Sequence, residues 1–384
     1  MLNHSTLKSL FARYKNEAIS HRYITNNHIE PLLEKLSDVF YISVIGHSVN
    51  KLPIYGIQLG KGSKRILMWS QMHGNESTTT KACFDLLNYL KENPQLLETC
   101  TLYIIPILNP DGAKAYRRHN ANDVDLNRDA QNLSQPESLV LKEVFESFKP
   151  HFCFNLHGQR TIFSAGRTNK SATVSFLAPA QDEECTVTNN RKVAMEIIAN
   201  MNAMLQTIIP NSVGIYDDAF NINCVGDTFQ SYNIPTVLFE AGHYKGDYAR
   251  EEVRQFMFMS LLTALKTIET NNNLGANHQQ YFDIPQNEKL FYDIIIRNAK
   301  ILNHSKDKVL DIAIQYEEVL VDEYIAFIPK IKDFGDLSNF YAHKEIDAKR
   351  HQVILGDNKA LEIENSIDFA KINNELFSLK LSEI

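Results

Sequence analysis

At 384 residues the chain can hold one large domain and a smaller one, and its 44% hydrophobic and 22% charged residues exclude a chain dominated by disorder. A formal net charge of −7 without a long basic run leaves no nucleic-acid footprint, although a local basic pocket can still receive an anionic substrate. No window approaches the roughly 20 consecutive apolar residues of a membrane span. Five scattered cysteines without CxxC spacing fit reduced thiols and a cytoplasmic location.

In chain order, residues 1–38 read as an N-terminal helical segment, with apolar residues at helical spacing in LKSLFARY and IEPLLEKL. The opening residues are broken by Lys, Arg and Glu and lack the apolar core of a secretory signal. Strand-type runs follow at 40–49, 52–60 and 65–72. The first two predict a hairpin through Asn50–Lys51–Leu52–Pro53, and RILMWSQM predicts a strand covered on both faces. A helix is predicted over Ser77–Glu92, with Pro94 just beyond. Next come the strand TLYIIPILNP, a helix over Gln135–Phe148 and the strand HFCFNLHG. TVSFLAPA, a helix over Arg191–Ile208, IPTVLFEAG and a long helix over Arg250–Glu269 complete the series. Strand alternating with helix predicts an α/β fold with a parallel or mixed central sheet, assigned to a catalytic domain at 39–270. The polar, aperiodic stretch 271–281 reads as a linker, and 282–384 as a small β-rich C-terminal domain.

The chemistry gathers at predicted strand ends, where α/β sheets collect ligands. His73 and Glu76 stand three residues apart directly after RILMWS, and Gly74 between them admits close backbone approach. An imidazole and a carboxylate suit zinc, whose catalytic sites take three protein ligands and a water. His157 ends the strand HFCFNL, 157 − 76 = 81 residues further on, and is the third candidate ligand. Glu240 ends IPTVLFE; a carboxylate there is costly unless paired or used, and beside a metal it suits a general base and acid. NPDG at 109–112 reads as a turn. Arg117, Arg118, Asn127 and Arg128 offer planar forks and an amide for capture of a carboxylate.

Together these pieces resemble the zinc carboxypeptidase family, the carboxypeptidase A-like metallopeptidases, over about residues 40–270. The matching motifs are HGNE at 73–76, NPDG at 109–112, RHN at 118–120, DLNR at 125–128, LHG at 156–158 and FEAG at 239–242, in the family's order. The resemblance implies a three-layer α/β/α fold with a mixed central sheet. It implies one Zn2+ on His73, Glu76 and His157, with Glu240 as the catalytic carboxylate. Arg118 would polarise the scissile carbonyl, with Arg117 the alternative by one residue, while Asn127 and Arg128 would hold the substrate's terminal carboxylate. The family's closing tyrosine would be Tyr216, although the spacing points nearer Phe220, and the residue near Gly226–Asp227 would tune side-chain preference. The implied reaction is hydrolysis of a C-terminal peptide bond by an intracellular, bacterial-type member.

Two other readings compete. The aspartoacylase and succinylglutamate desuccinylase group shares HGNE and DLNR and carries a C-terminal β-rich domain, so the substrate with a free carboxylate is either a peptide or an N-acyl amino acid. A catalytically silent binding protein would have lost a ligand or the base, yet each of those positions is filled. Neither a nucleic-acid nor a membrane partner is expected, and the oligomeric state is left open.

Overall fold

The computed structural model describes residues 4–301 and 308–381. Residues 1–3 of the expected N-terminal segment, and 302–307 and 382–384 of the expected C-terminal domain, lie outside them. The chain divides into two compact units, Met1–Gln159 with Ala172–Asn287, and Arg160–Ser171 with Glu288–Ile384.

In the first unit, helices α1 (His4–Tyr14) and α2 (Asn26–Leu36) precede strands β1 (Tyr41–His47), β2 (Pro53–Gly60) and β3 (Lys64–Ser70). Then come α3 (Thr78–Glu92), α4 (Leu96–Thr99), β4 (Cys100–Ile105), α5 (Pro110–Ala115), α6 (Pro136–Phe148) and β5 (Phe152–Gly158). The two-residue β6 (Ser164–Ala165) belongs to the second unit, and the first continues with β7 (Val174–Leu177), α7 (Asn189–Leu205), β8 (Val213–Ile215), α8 (Val225–Ser231), β9 (Thr236–Ala241) and α9 (Glu251–Thr270). The eight-stranded sheet has the order β1-β2-β4-β3-β5-β9-β7-β8. The expected hairpin pairs β1 with β2 antiparallel, Tyr41 opposite Gln58. At the centre, β4, β3, β5 and β9 run parallel, and β7 pairs antiparallel with β9. The sheet is mixed.

Strand alternation divides the core into two layers. Ile66 and Met68 of β3 join the apolar cluster beneath α1, α3, α7 and α9, whereas Leu67 and Trp69 join the cluster containing Val140, Leu141 and Val144 of α6 and Phe229 of α8. Helices cover both faces, as a near-continuous apolar strand requires. On α3, Cys83, Leu86, Leu87 and Leu90 are sealed from water at helical spacing, and each buried leucine contributes about 1.5–3 kcal/mol. Between α3 and α9 lies a fully buried ion pair, Arg254 on Asp85, with both nitrogen–oxygen contacts at 2.7 Å.

The stretch expected as a linker packs on this unit. Glu196 of α7 accepts from the backbone N–H groups of Gly275 and Asn277, and Tyr281 is buried in the core. These polar contacts give no apolar periodicity, so the division falls at Asn287–Glu288 and not at 281–282.

The second unit is β-rich. After the short β10 (Asn287–Glu288), strands β11 (Phe291–Ile301), β12 (Lys308–Val321), β13 (Tyr324–Gly335) and β14 (Tyr341–Asp347) form a sheet ordered β13-β12-β11-β14. A three-stranded sheet of β15 (Val353–Leu355), β16 (Phe369–Ile372) and β17 (Glu375–Ser378) completes it. Its own core includes Ile294, Ile312, Ile314, Ile331 and Ala370.

Candidate active site

β3 delivers the chain to the carboxyl edge of the sheet, and the loop carrying His73 is held on both sides. Asn109 Nδ2 donates to the carbonyl of Met72 at 3.1 Å, and Gln71 Nε2 donates to the carbonyl of Gly74 at 2.7 Å. A Cβ on Gly74 would lie 2.0 Å from the carbonyl carbon of Gly112, so the two motifs touch backbone to backbone. The NPDG segment is therefore more than the turn its sequence suggests. Pro110 starts α5, Asn109 Oδ1 caps it by accepting from Gly112 N–H at 2.8 Å, and the same side chain braces the His73 loop.

His73, Glu76 and His157 converge, each offering a ligand atom within 4.8 Å of the others. His73 Nδ1 lies 3.0 Å from Glu76 Oε1, His157 Nδ1 lies 3.0 Å from Glu76 Oε2, and the two Nδ1 atoms are 3.0 Å apart. His73 Nε2 faces Asp125 Oδ1 at 3.1 Å. A carboxylate there favours the N–H on Nε2, which leaves Nδ1 with a bare lone pair aimed at the other two donors. Lone pairs converging without enough hydrogens to pair them are the donor set of a cation site, and two imidazoles with a carboxylate suit zinc. The residues present fit the ion.

Electrostatics favour the ligand form at His157 and Glu76. Burial pushes His157 down to about 4, so it stays neutral, the ligand form. Burial would raise Glu76, but the two imidazoles that face it outweigh burial and hold the carboxyl well below its usual range, so it too is in the ligand form, a carboxylate. The backbone N–H of Gly158 adds a bond to Glu76 Oε2 at 2.9 Å.

Glu240 stands opposite His157 in the β5–β9 ladder. Its Oε2 is sealed from solvent without a hydrogen-bond partner among the described residues. Burial, reinforced by the charge of Glu76, raises its carboxyl well above the ordinary range. Such a group takes up a proton readily.

Of the adjacent arginines, Arg118 reaches the cluster. Its Nε and Nη2 contact Asp125 Oδ2 at 3.1 and 3.0 Å, and Nη1 lies 3.4 Å from Glu76 Oε1. Arg117 turns to Asp123 at 3.4 Å. Asn127 accepts from Val225 N–H through Oδ1 at 3.1 Å, which leaves its amide N–H groups as donors. Arg128 is exposed, with Nη1 on the carbonyl of Asn127 at 2.8 Å. Tyr216 follows β8, the outermost strand, with β7 and β9 between it and β5; its N–H donates to Phe176 O at 3.0 Å.

In the sequence Asp125 stands out only as part of DLNR, yet it holds His73 through one oxygen and Arg118 through the other. Its position two residues before Asn127 was the available signal. Gln71 and Asn109 act on backbone carbonyls and carry no such mark.

A family model described as zinc carboxypeptidase matches residues 25–236. Carboxypeptidase 2 of Trichophyton rubrum is 33% identical over 111 residues, 27% of this chain and 20% of that protein. The chain spans about an eighth to two fifths of the length of the curated relatives it matches. Among solved structures, carboxypeptidase A from Helicoverpa armigera shares the fold at TM-score 0.53 and 14% identity, covering 70% of this chain and 80% of that one. A metallo-carboxypeptidase from Pseudomonas aeruginosa does so at 0.51 and 16%, covering 64% and 69%. With more than half of its length matched by the family model, the chain belongs to the zinc carboxypeptidase family.

Proposed function

We propose that the chain is a zinc metallocarboxypeptidase that hydrolyses the C-terminal amide bond of a peptide. The observation that carries this reading is the convergence of His73, Glu76 and His157, with Glu240 on the adjoining strand end. One zinc ion held by those three residues supplies Lewis acidity and a water more acidic than bulk. Glu240 accepts the proton of the attacking water and passes it to the leaving amine nitrogen. Arg118, held by Asp125, donates to the oxygen of the scissile carbonyl as negative charge develops there. Asn127 and Arg128 grip the free carboxylate of the substrate and so select the last peptide bond. The Pseudomonas aeruginosa relative was solved with (2-guanidinoethylmercapto)succinic acid, a carboxylate-bearing ligand, which is in keeping with that assignment.

The test is release of C-terminal residues from peptides, measured beside hydrolysis of N-acetyl- and N-succinyl-amino acids. Peptide turnover with silent N-acyl substrates is expected. Turnover of the N-acyl amino acids alone would replace the peptidase by a deacylase.

Two variants probe individual roles. Arg118→Ala is expected to lower kcat by about 10²–10³-fold, the cost of one lost oxyanion donor; an unchanged kcat would assign the polarising role elsewhere. Asp125→Ala leaves His73 Nε2 without its partner, and zinc affinity is expected to fall about 10–100-fold. Competition with a chromogenic chelator measures this, and wild-type affinity would remove Asp125 from any orienting role.

A further inference from the structure

Arg250 stands ten residues past Glu240, outside every motif that pointed to the chemistry. The backbone at this residue is left-handed (φ 61°) just before α9, and its side chain is buried, with 1% exposure. Nη1 donates to the carbonyl of Ala241 and Nη2 to the carbonyl of Gln159, both at 2.9 Å. Ala241 directly follows Glu240, and Gln159 lies two residues beyond His157. In the ladder His157 faces Glu240 and Gly158 faces Ala241, and Gln159 N–H then reaches Ala241 O at 3.0 Å. The guanidinium sits where this pairing ends, with one prong on each strand. Such a planar fork fixes both the spacing and the angle of its two acceptors.

We propose that Arg250 is a positioning residue: its guanidinium staples the ends of β5 and β9 and so sets the separation of His157 from Glu240. The proposal rests on the reading of these two residues as metal ligand and proton acceptor. Its consequence is functional because a displacement of about 1 Å at reacting groups can cost about 10²-fold in rate. Lysine in the same place keeps the charge but presents a single ammonium in place of the two-pronged fork. Arg254, one turn further along α9, offers an internal contrast: it is equally buried, but it grips Asp85 and the carbonyls of Asn16 and Ile19, away from the two strand ends.

The test compares Arg250→Lys and Arg250→Gln with Leu265→Ala, a truncation in the buried core of α9. Melting temperature, kcat, KM and the zinc dissociation constant are measured for each, with kinetics well below every melting transition. Both Arg250 variants are expected to lose about 10–100-fold in kcat with KM within about 2-fold, and to bind zinc about 10-fold more weakly. Leu265→Ala is expected to melt lower while keeping wild-type kcat and zinc affinity. Arg250→Lys with wild-type kcat and zinc affinity would overturn the proposal, as would losses in all three variants that merely track melting temperature. If Arg250→Lys does not fold, Arg250→Gln decides. A wild-type chain inactive on every peptide would instead sink the peptidase reading, and the zinc affinities would still judge Arg250.

Discussion

Glu240→Gln is expected to abolish turnover while leaving zinc bound. The substitution keeps the shape of the side chain and removes its capacity to take a proton from water. General base and acid catalysis together are typically worth about 10²–10⁴-fold, and the proposed mechanism gives both to this one group, so a loss of at least about 10³-fold in kcat is expected. Metal retention follows from geometry, because the donor set is complete with His73, Glu76 and His157. A third outcome follows from electrostatics. Burial and the neighbouring Glu76 both disfavour the charged form of Glu240, so removing the ionisable group should leave the melting temperature unchanged or higher. Under the proposed role, function at this position is retained against stability. Steady-state kinetics, metal analysis and thermal melting on one preparation check all three. Normal turnover in the variant would show that another group moves the proton.

The largest expected loss of stability is at Asp85. Its carboxylate receives both prongs of Arg254 at 2.7 Å and the backbone N–H of Asn16 at 2.7 Å, with neither charged side chain exposed. Arg254 in turn donates to the carbonyls of Asn16 and Ile19, so the pair fastens the chain after α1 to α3 and α9. Removing Asp85 leaves the buried Arg254 with only Glu251, a quarter exposed and 3.1 Å from Nη1, as its counter-charge, and breaking such a pair costs about 3–5 kcal/mol. Asp85→Ala is expected to lose that much, measured from the denaturant midpoint. Asp85→Leu combined with Arg254→Met should recover most of it, since apolar replacement of a whole buried pair is often neutral or better. Equal destabilisation in the single and double variants would mean that packing, and not the stranded charge, sets the cost. Neither change should alter zinc content.

The convergence of the candidate residues is legible in the sequence where chemistry coincides with strand ends. His73, Glu76, His157 and Glu240 all follow apolar runs that become β3, β5 and β9, and parallel pairing brings those ends to one edge. Arg118 could not be told from Arg117 by residue type. The choice is visible only once Asp125 is seen to hold one of them and Asp123 the other. What stayed hidden acts through the backbone. Gln71, Asn109 and Arg250 donate to carbonyls, which every residue has, so no spacing announces their partners. For the same reason Glu196 converts the polar stretch after α9 from an expected linker into packed chain. The inclusion of Arg160–Ser171 in the second unit also had no sequence signal, since that segment follows β5 without a composition change.

The most direct measurement is the metal content of the purified, extensively dialysed chain, beside variants lacking one donor. Wild-type protein should retain about one zinc per chain, whereas His157→Ala, shown folded by circular dichroism, should retain almost none, because a catalytic site with three protein ligands does not survive as two. A folded wild-type chain that holds no zinc at micromolar supply, or a His157→Ala variant that keeps it in full, would contradict the account.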